Sequence, residues 1–498
     1  MTTVRLSSKD QDFFRLVSHA AVCNPFGDER SELDLRIAEC SPAVSIEQRM
    51  ERVKTRVREG VGRLQRDGKA DIKLYDGEER LIMQSAFLFN AFHCFSKEFD
   101  QLIVGQIEEG DTPCAVAFAR EALAMLAGHG FTVAEADRFL AILYQLHRAY
   151  FFIDRGLIGQ SPSMKKLRLH LWNNVFTHDI LLYERYLWNR MEDFATFLLG
   201  ETGTGKGTAA AAIGRSGFIP YDKKKGRFAD SFMRNFISVN LSLYPESLIE
   251  SELFGHRKGA FTGAIEQHQG IFARCSPHGS IFIDEIGDVS IPVQVKLLQI
   301  LQDRTFSPVG SHENLRFNGR VIAATNRPLD ELRREGLFRS DFYYRLCSDC
   351  ILVPPLRQRL QEDQKELDAM LVHVMSRLLG EAAPELVQMV RERILVNLGS
   401  NYAWPGNVRE LEQGVRRILL TKEYQGDYSP VASDVKDRLL SRIEAGSLDA
   451  QELLSAYCSM LYQRFGNYQE VSRRMNLDRR TVKRYIQLLK YQAPAARH

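Results

Sequence analysis

Apolar positions along the chain change period twice. Up to about residue 155 they recur every three or four residues, as on a helix with one buried stripe. Thr112-Pro113 offers an N-cap followed by Pro at the first helical position, which predicts a helix through Ala115 and on to Leu126. Thr132-Val133-Ala134-Glu135 is a capping box, with Phe139, Leu140, Leu143, Leu146 and Tyr150 at helical spacing behind it. No strand in this region ends in an exposed acidic residue, so a phosphate-accepting receiver fold is not expected. No internal repeat is present. After a polar junction at 156–160, Ser161-Pro162 opens another helix. From there to about 355, short β-branched or aromatic runs (194–199, 236–239, 280–283, 320–324) alternate with helical stretches. That alternation predicts a parallel α/β sheet. Pro354-Pro355 breaks the pattern, and helical spacing resumes to about Lys422. The expected divisions are therefore 1–155 helical, 156–355 α/β, 356–424 helical, 425–446 a linker carrying Gly426, Pro430 and Gly446, and 447–498 helical.

Composition narrows the class. The 498 residues are 44% hydrophobic and 26% charged, an ordinary globular balance for about three domains. Sixty-six Lys and Arg against 63 Asp and Glu leave a net charge of +3, which excludes a chain that is basic throughout. No run approaches the ~18 apolar residues of a membrane span, and Met1-Thr2-Thr3-Val4-Arg5 does not open a leader peptide. Eight scattered cysteines fit a reducing cytoplasm rather than a disulfide framework. The lone Cys347-x-x-Cys350 is expected to pack around a strand, since it has no second pair or His partners.

Two segments carry chemistry. The apolar run 197–199 leads into Gly200-Glu201-Thr202-Gly203-Thr204-Gly205-Lys206, and 209–213 supply a helix behind it. Glycines let backbone N–H groups turn inward around phosphates, the helix N-terminus adds its positive dipole end, and Lys206 reaches the β and γ oxygens. Gly207 stands where a Ser or Thr hydroxyl usually meets Mg²⁺, and Thr208 comes one residue late. The second segment, Ile281-Phe282-Ile283, delivers Asp284 and Glu285 at a strand tip. Asp284 is expected to hold Mg²⁺ and Glu285 to polarise the attacking water, which points to ATP hydrolysis.

Between them lies Glu252-Leu253-Phe254-Gly255-His256-Arg257-Lys258-Gly259-Ala260-Phe261-Thr262-Gly263-Ala264, a flexible loop with one aromatic anchor. Its last six residues read GAFTGA. Over roughly residues 157–422 the chain resembles the sigma-54-dependent enhancer-binding transcriptional activators of the AAA+ class. The resemblance implies a helical regulatory domain, an α/β P-loop ATPase domain and a helical lid. It also implies that Gly259 to Ala264 contact the sigma factor and transmit hydrolysis to the closed promoter complex. Asn240 matches the residue that switches the Walker B glutamate, although Asn also caps strand ends. Thr325-Asn326 match sensor I, Arg339 and Arg345 match the arginine fingers, and Arg409, in Trp404-Pro405-Gly406-Asn407-Val408-Arg409, matches sensor II. Departures are Gly207 where the family commonly has Glu, an aromatic lead over 171–195, and a basic insertion between Gly214 and Phe236. That insertion contains Lys223-Lys224-Lys225, expected as a solvated loop.

At the C-terminus, residues 448–465 predict an amphipathic helix, Gly466-Asn467 a stop and new cap, and 468–475 a short helix. After a four-residue turn, Asp478 caps a third helix. Val482, Tyr485, Ile486 and Leu489 form its apolar face, and Arg480, Lys483, Arg484 and Gln487 the opposite one. This is a helix-turn-helix pattern, and it resembles the Fis-type DNA-binding domain. Arg479, Arg480, Lys483 and Arg484 are the candidates for contacts to double-stranded upstream DNA. The last 35 residues hold nine Lys and Arg against two acids, leaving the other 463 at a net of −4. The expected function is an ATP-dependent activator, assembled as a homo-oligomeric ring (a hexamer), that opens promoters held by sigma-54 RNA polymerase holoenzyme. The alternative is a nucleotide-gated DNA-binding regulator with little ATPase activity. No membrane partner is expected.

Overall fold

Helices α1 (Ser8–Val22), α2 (Asp28–Ala38), α3 (Ile46–Arg66), α4 (Gly77–Cys94), α5 (Ser96–Glu109), α6 (Ala119–Gly128) and α7 (Val133–Gly156) build the first part of the chain, and α8 (Pro162–Phe176) leads out of it. These positions come from a computed structural model, which describes residues 5–381, 383–426 and 449–492. Most of the expected linker 425–446, with 447, 448 and 493–498, lies outside the described residues. Two units are distinct, Met1–Lys422 and Glu423–His498.

Helix α7 is the spine of the helical region. Thr132 accepts from the Glu135 N–H while the Glu135 carboxylate accepts from Thr132, so the capping box closes as its sequence predicts. Beyond Phe139, Leu140 and Leu143, the other faces of α7 also bury Ala141, Ile142, Tyr144, His147 and Arg148. A helix buried all round belongs at the centre of its layer.

The helix expected from Ala115 begins only at Ala119. The preceding backbone is taken by a tertiary partner. The insertion after Gly214 folds as a two-stranded hairpin, Tyr221–Asp222 against Arg227–Phe228. The Val116 N–H donates to the Gly226 carbonyl at 2.9 Å, and Ala115 bridges Arg227. Lys223, Lys224 and Lys225 are exposed at the tip, but Ile219, Phe228 and Phe232 are buried in the core of the helical region. The insertion is thus an arm docked on that region, with its lysine tip solvated.

Five strands form a parallel sheet: β1 (Thr196–Leu199), β2 (Phe236–Asn240), β3 (Ser280–Asp284), β4 (Arg320–Thr325) and β5 (Asp349–Leu352), in the order β2-β3-β4-β1-β5. Phe197, Leu198, Ile281 and Ile322 are fully buried, because helices cover both faces of such a sheet and its strands read as apolar runs. Strand β5 is the strand around which the Cys347-x-x-Cys350 pair was expected to pack. Cys347 caps the helix Ser340–Leu346 and Cys350 lies in β5, so the C-x-x-C is divided between a helix end and a strand. Burial pushes the Cys347 thiol up to about 12.

The helix after the phosphate loop, Lys206–Gly214, is finished by side chains from α7. Arg148 donates to the carbonyls of Arg215 and Gly217, both at 2.7 Å, and Gln145 donates to the Ser216 carbonyl at 2.9 Å. The acceptors are the C-cap Arg215 and the two residues after it, so the helical region pairs the carbonyls of the turn that leaves this helix. Helices Leu356–Glu362, Lys365–Leu379, Pro384–Leu398 and Asn407–Thr421 follow the sheet.

In the second unit, helices Ala450–Phe465, Tyr468–Met475 and Arg479–Gln492 enclose Cys458, Leu461, Val471, Val482 and Ile486. Gly466 ends the first helix at φ 64°, Asn467 caps the second, and Asp478 accepts from the Arg480 and Thr481 N–H groups to cap the third. The intervening turn has three residues, Asn476 to Asp478, not four, because Asn476 takes the left-handed cap (φ 50°) directly after Met475. The side chain of Leu489 lies outside the described residues.

Candidate functional site

The tips of β1, β3 and β4 converge on one edge of the sheet, where crevices at strand carboxyl ends bind ligands. Gly203 (φ 78°) and Gly205 (φ 102°) turn the loop after β1 in a conformation that favours glycine. At Gly203 the need is also steric, since a Cβ there would lie 2.3 Å from the Gly406 carbonyl oxygen. Thr204 closes the turn by donating its hydroxyl to the Glu201 carbonyl at 2.9 Å. Lys206 opens the helix, and its buried Nζ donates to the Gly200 and Glu201 carbonyls at 2.9 and 3.1 Å. Burial lowers its proton affinity, and the charges of Glu285 and Asp284 counteract this. A Cβ at Gly207 would meet nothing closer than 3.9 Å, so the small residue there is not imposed by packing. The Thr208 methyl lies beside Gly156 at the end of α7.

Asp284 ends β3, paired in register with Asn240, and Glu285 follows at φ 56°. The Glu285 N–H donates to Asp284 Oδ1 at 3.1 Å. Burial raises the proton affinity of both carboxylates, and the neighbouring Asp284 charge raises that of Glu285 further. Asn326 links the two motifs: its N–H donates to Glu285 Oε2 at 3.4 Å and its Nδ2 to Thr202 Oγ1 at 2.7 Å. Asn240 is beside Asp284 in the sheet, but its Oδ1 accepts from the Ser242 N–H and hydroxyl at 3.0 and 2.7 Å. In this conformation it caps the strand end.

The lid helix reaches the same loop. The Val408 N–H donates to the Gly203 carbonyl at 3.0 Å, and the positive charge of Arg409 acts on both Lys206 and Asp284. Two residues here escaped the sequence reading. Asn407, fully buried at φ 54°, donates to Glu201 Oε2 and the Thr202 carbonyl at 3.1 and 3.0 Å, and accepts from the Leu356 N–H at 2.8 Å. Arg357 grips the Glu201 carboxylate with both terminal nitrogens, at 2.7 and 2.5 Å, and holds its pKa down. Asn407 stands inside the quoted Trp404–Arg409 segment, and Arg357 follows the Pro354-Pro355 break. Their side chains acquire a role only when the lid folds over the loop.

Arg339 and Arg345 are placed elsewhere. Arg339 pairs with Asp341 at 3.0 and 2.6 Å on the surface, and Arg345 Nε donates to the Leu301 carbonyl at 2.9 Å. Neither makes a described contact with the phosphate loop.

The segment Gly259 to Ala264 is pinned at its ends and open in its middle. The Gly259 N–H donates to the Ala264 carbonyl at 2.8 Å, and His256 bridges both His268 and Val309. Phe261 rests its edge on the His256 ring, centroids 4.9 Å apart, yet remains 38% exposed, and Thr262 and Gly263 are exposed. In the second unit Arg479, Arg480, Lys483 and Arg484 are all exposed on the third helix.

Comparison with known proteins agrees with this constellation. The family described as Sigma-54 interaction domain matches residues 183–351, spanning the phosphate loop, the Gly259–Ala264 loop and the carboxylate pair. The regulatory protein AtoC of Escherichia coli (strain K12) is 33% identical over 289 residues, covering 56% of this chain and 58% of its own. The Nif-specific regulatory protein of Azotobacter vinelandii is 36% identical over 281 residues, covering 55% of this chain and 46% of its own. The chain thus spans about half the length of these curated relatives. The transcriptional regulatory protein ZraR of Klebsiella oxytoca is 35% identical over 334 residues, covering 66% of this chain and 67% of its own. A P-loop with its carboxylate pair, an intact GAFTGA segment between them, and a relative matched over two thirds of its length lead to one assignment: the chain belongs to the sigma-54-dependent enhancer-binding transcriptional activators.

Proposed function

We propose that this protein binds ATP with Mg²⁺ at the Gly200–Lys206 loop and couples hydrolysis to opening of promoters held by sigma-54 RNA polymerase. Lys206 would leave its loop carbonyls for the β and γ phosphates, Asp284 would hold Mg²⁺, and Glu285 would orient the attacking water. Asn326 already bridges Glu285 and the loop, and Arg409 brings positive charge from the lid, so both would register the γ-phosphate. Asn240 would exchange its cap for Glu285 during the cycle. Arg339, now paired with Asp341, and Arg345, whose Nε is held by the Leu301 carbonyl, would act on the site of a neighbouring subunit in a hexameric ring. The three-helix unit would bind double-stranded upstream DNA through Arg479, Arg480, Lys483 and Arg484. The helical first region would regulate the motor through the Arg148 and Gln145 contacts to the phosphate-loop helix.

The observation that carries this reading is the Gly259–Ala264 loop, anchored at both ends and presenting Phe261 and Thr262 to solvent. On the full-length protein, Thr262→Ala is expected to keep ATPase activity and abolish open-complex formation on a sigma-54 promoter. Unchanged promoter opening would instead indicate an AAA+ machine acting on another protein. Gly207 favours a second reading, a nucleotide-gated DNA-binding regulator with little turnover, because that position lacks the hydroxyl that usually meets Mg²⁺. Tight ATP binding without measurable phosphate release, at a concentration where the ring assembles, would establish it.

A further inference from the structure

Far from the phosphate loop in sequence, three side chains of different donor chemistry converge at the junction of α1 and α2. His19 lies in the last turn of α1, Cys23 is its C-cap, and Glu29 lies in the first turn of α2. The Cys23 N–H donates to the His19 carbonyl at 3.1 Å, which continues the helical spacing by one residue and sets the two side chains on one face. One ligand atom from each of the three lies within 4.8 Å of the others, and His19 Nε2 is 3.0 Å from Glu29 Oε1. Among the described residues this is the one such grouping of His, Cys and carboxylate ligands.

The turn beneath it is held by hydrogen bonds. In the connecting turn, Asn24 Oδ1 accepts from the Phe26 N–H at 3.0 Å, and the Gly27 N–H donates to the Asn24 carbonyl at 3.1 Å. Asn24 Nδ2 then donates to the Leu169 carbonyl and Asn173 Oδ1, at 3.0 and 2.8 Å, which ties the turn to α8. The triad opens onto a cleft of about 450 Å³ whose far wall includes Asn173, His178 and Asp179. His178 and Asp179 belong to the segment joining α8 to β1, the strand that carries the phosphate loop.

We propose that His19, Cys23 and Glu29 form a binding site for a divalent transition-metal cation of the zinc type. One imidazole nitrogen, one thiolate sulfur and one carboxylate oxygen make a mixed set that suits a borderline-soft ion. Mg²⁺ and Ca²⁺, which take oxygen ligands, are poorly served by it. Three protein ligands leave a fourth tetrahedral position for water. A cation held there would clamp the end of α1 to the start of α2. The competing explanation is a surface His19–Glu29 ion pair beside an uninvolved thiol.

The experiment uses the tag-free full-length chain, reduced and stripped of metal, titrated with Zn²⁺ in excess Mg²⁺, and separately loaded with Co²⁺. One tight equivalent is expected, with a thiolate-to-cobalt charge-transfer absorption. Loss of an outer partner of a metal ligand already costs about 10- to 100-fold in affinity. Cys23→Ser, His19→Ala and Glu29→Gln should therefore each weaken Zn²⁺ binding by at least about tenfold, and Cys23→Ser should remove the absorption band. Circular dichroism of each metal-free variant separates this from misfolding, and Glu29→Gln, the mildest change, keeps the test decisive if another variant fails to fold. The double variant Cys347→Ser/Cys350→Ser should bind as the parent does. No tight equivalent, binding unchanged in Cys23→Ser, or a site lost only in the Cys347→Ser/Cys350→Ser variant would overturn the assignment. These readouts need neither ATPase activity nor promoter opening, so they stand or fall apart from the proposed function.

Discussion

Asp284 and Glu285 are held at a strand tip in a form that the fold itself disfavours. Burial raises the proton affinity of both, so the fold makes each charge costlier than on a free carboxylate. For Asp284 the sign follows directly. The penalty is full above its raised folded-state pKa and absent below its unfolded value, about 3.9. Asp284→Asn is therefore expected to raise the thermal midpoint of the nucleotide-free protein at pH 7 and to abolish ATP hydrolysis. The stability gain should fade as the pH falls to about 4. Differential scanning across that range checks it, and a loss of stability at neutral pH would sink the idea. Much of the site at this scale was legible from sequence, because the Gly200–Lys206 and Asp284-Glu285 motifs are local in the chain. Asn407 and Arg357 were not, since the partner of each lies more than 150 residues away.

The element that most changes the picture is α7. Its capping box and apolar spacing predict a helix, and one forms. Its Arg148 lies outside the apolar stripe that the spacing picks out. In the fold it is fully buried, stacked over Tyr144 with its guanidinium 4.5 Å from the ring, and finishes the phosphate-loop helix of another part of the chain. Burial pulls its pKa down to about 10, which still leaves it charged at neutral pH. Arg148→Met keeps much of the side-chain volume but leaves the Arg215 and Gly217 carbonyls without these donors. Buried hydrogen bonds to a charged group contribute roughly 1.5–3 kcal/mol each, so losing both is expected to cost about 3–6 kcal/mol. Thermal unfolding of the full chain checks the direction, and an unchanged midpoint would mean that water replaces the guanidinium. The helix expected from Ala115 failed for a related reason. A hairpin more than a hundred residues away captured its first turn, and no local propensity announces such a partner.

At the scale of the molecule, the described residues bring together the phosphate loop, the carboxylate pair, Asn326 and the helix Asn407–Thr421, and neither Arg339 nor Arg345 joins them. Both make their described contacts elsewhere. If they act in trans, neither Lys206→Ala nor Arg339→Ala protein should hydrolyse ATP alone, while mixtures should recover a fraction of parental activity. Turnover measured across mixing ratios tests this, and no recovery at any ratio would count against a shared site. The docked arm also couples the parts of the first unit. Ile219, Phe228 and Phe232 pack into the helical core, which joins that core to the chain after the phosphate-loop helix.

By itself the sequence determined what short-range patterning can specify. It specified a helical first region, an α/β order with chemistry at strand tips, a capped three-helix end and an intact GAFTGA loop. Each of these depends on residues a few positions apart, where period, caps and glycines act locally. The tertiary structure alone decided which distant groups complete those elements: Arg148 for the phosphate-loop helix, Arg357 and Asn407 for Glu201, and the hairpin for the backbone at Ala115 and Val116. Buried hydrogen-bonding groups must be paired, but nothing in their chemistry says from where along the chain the partner comes.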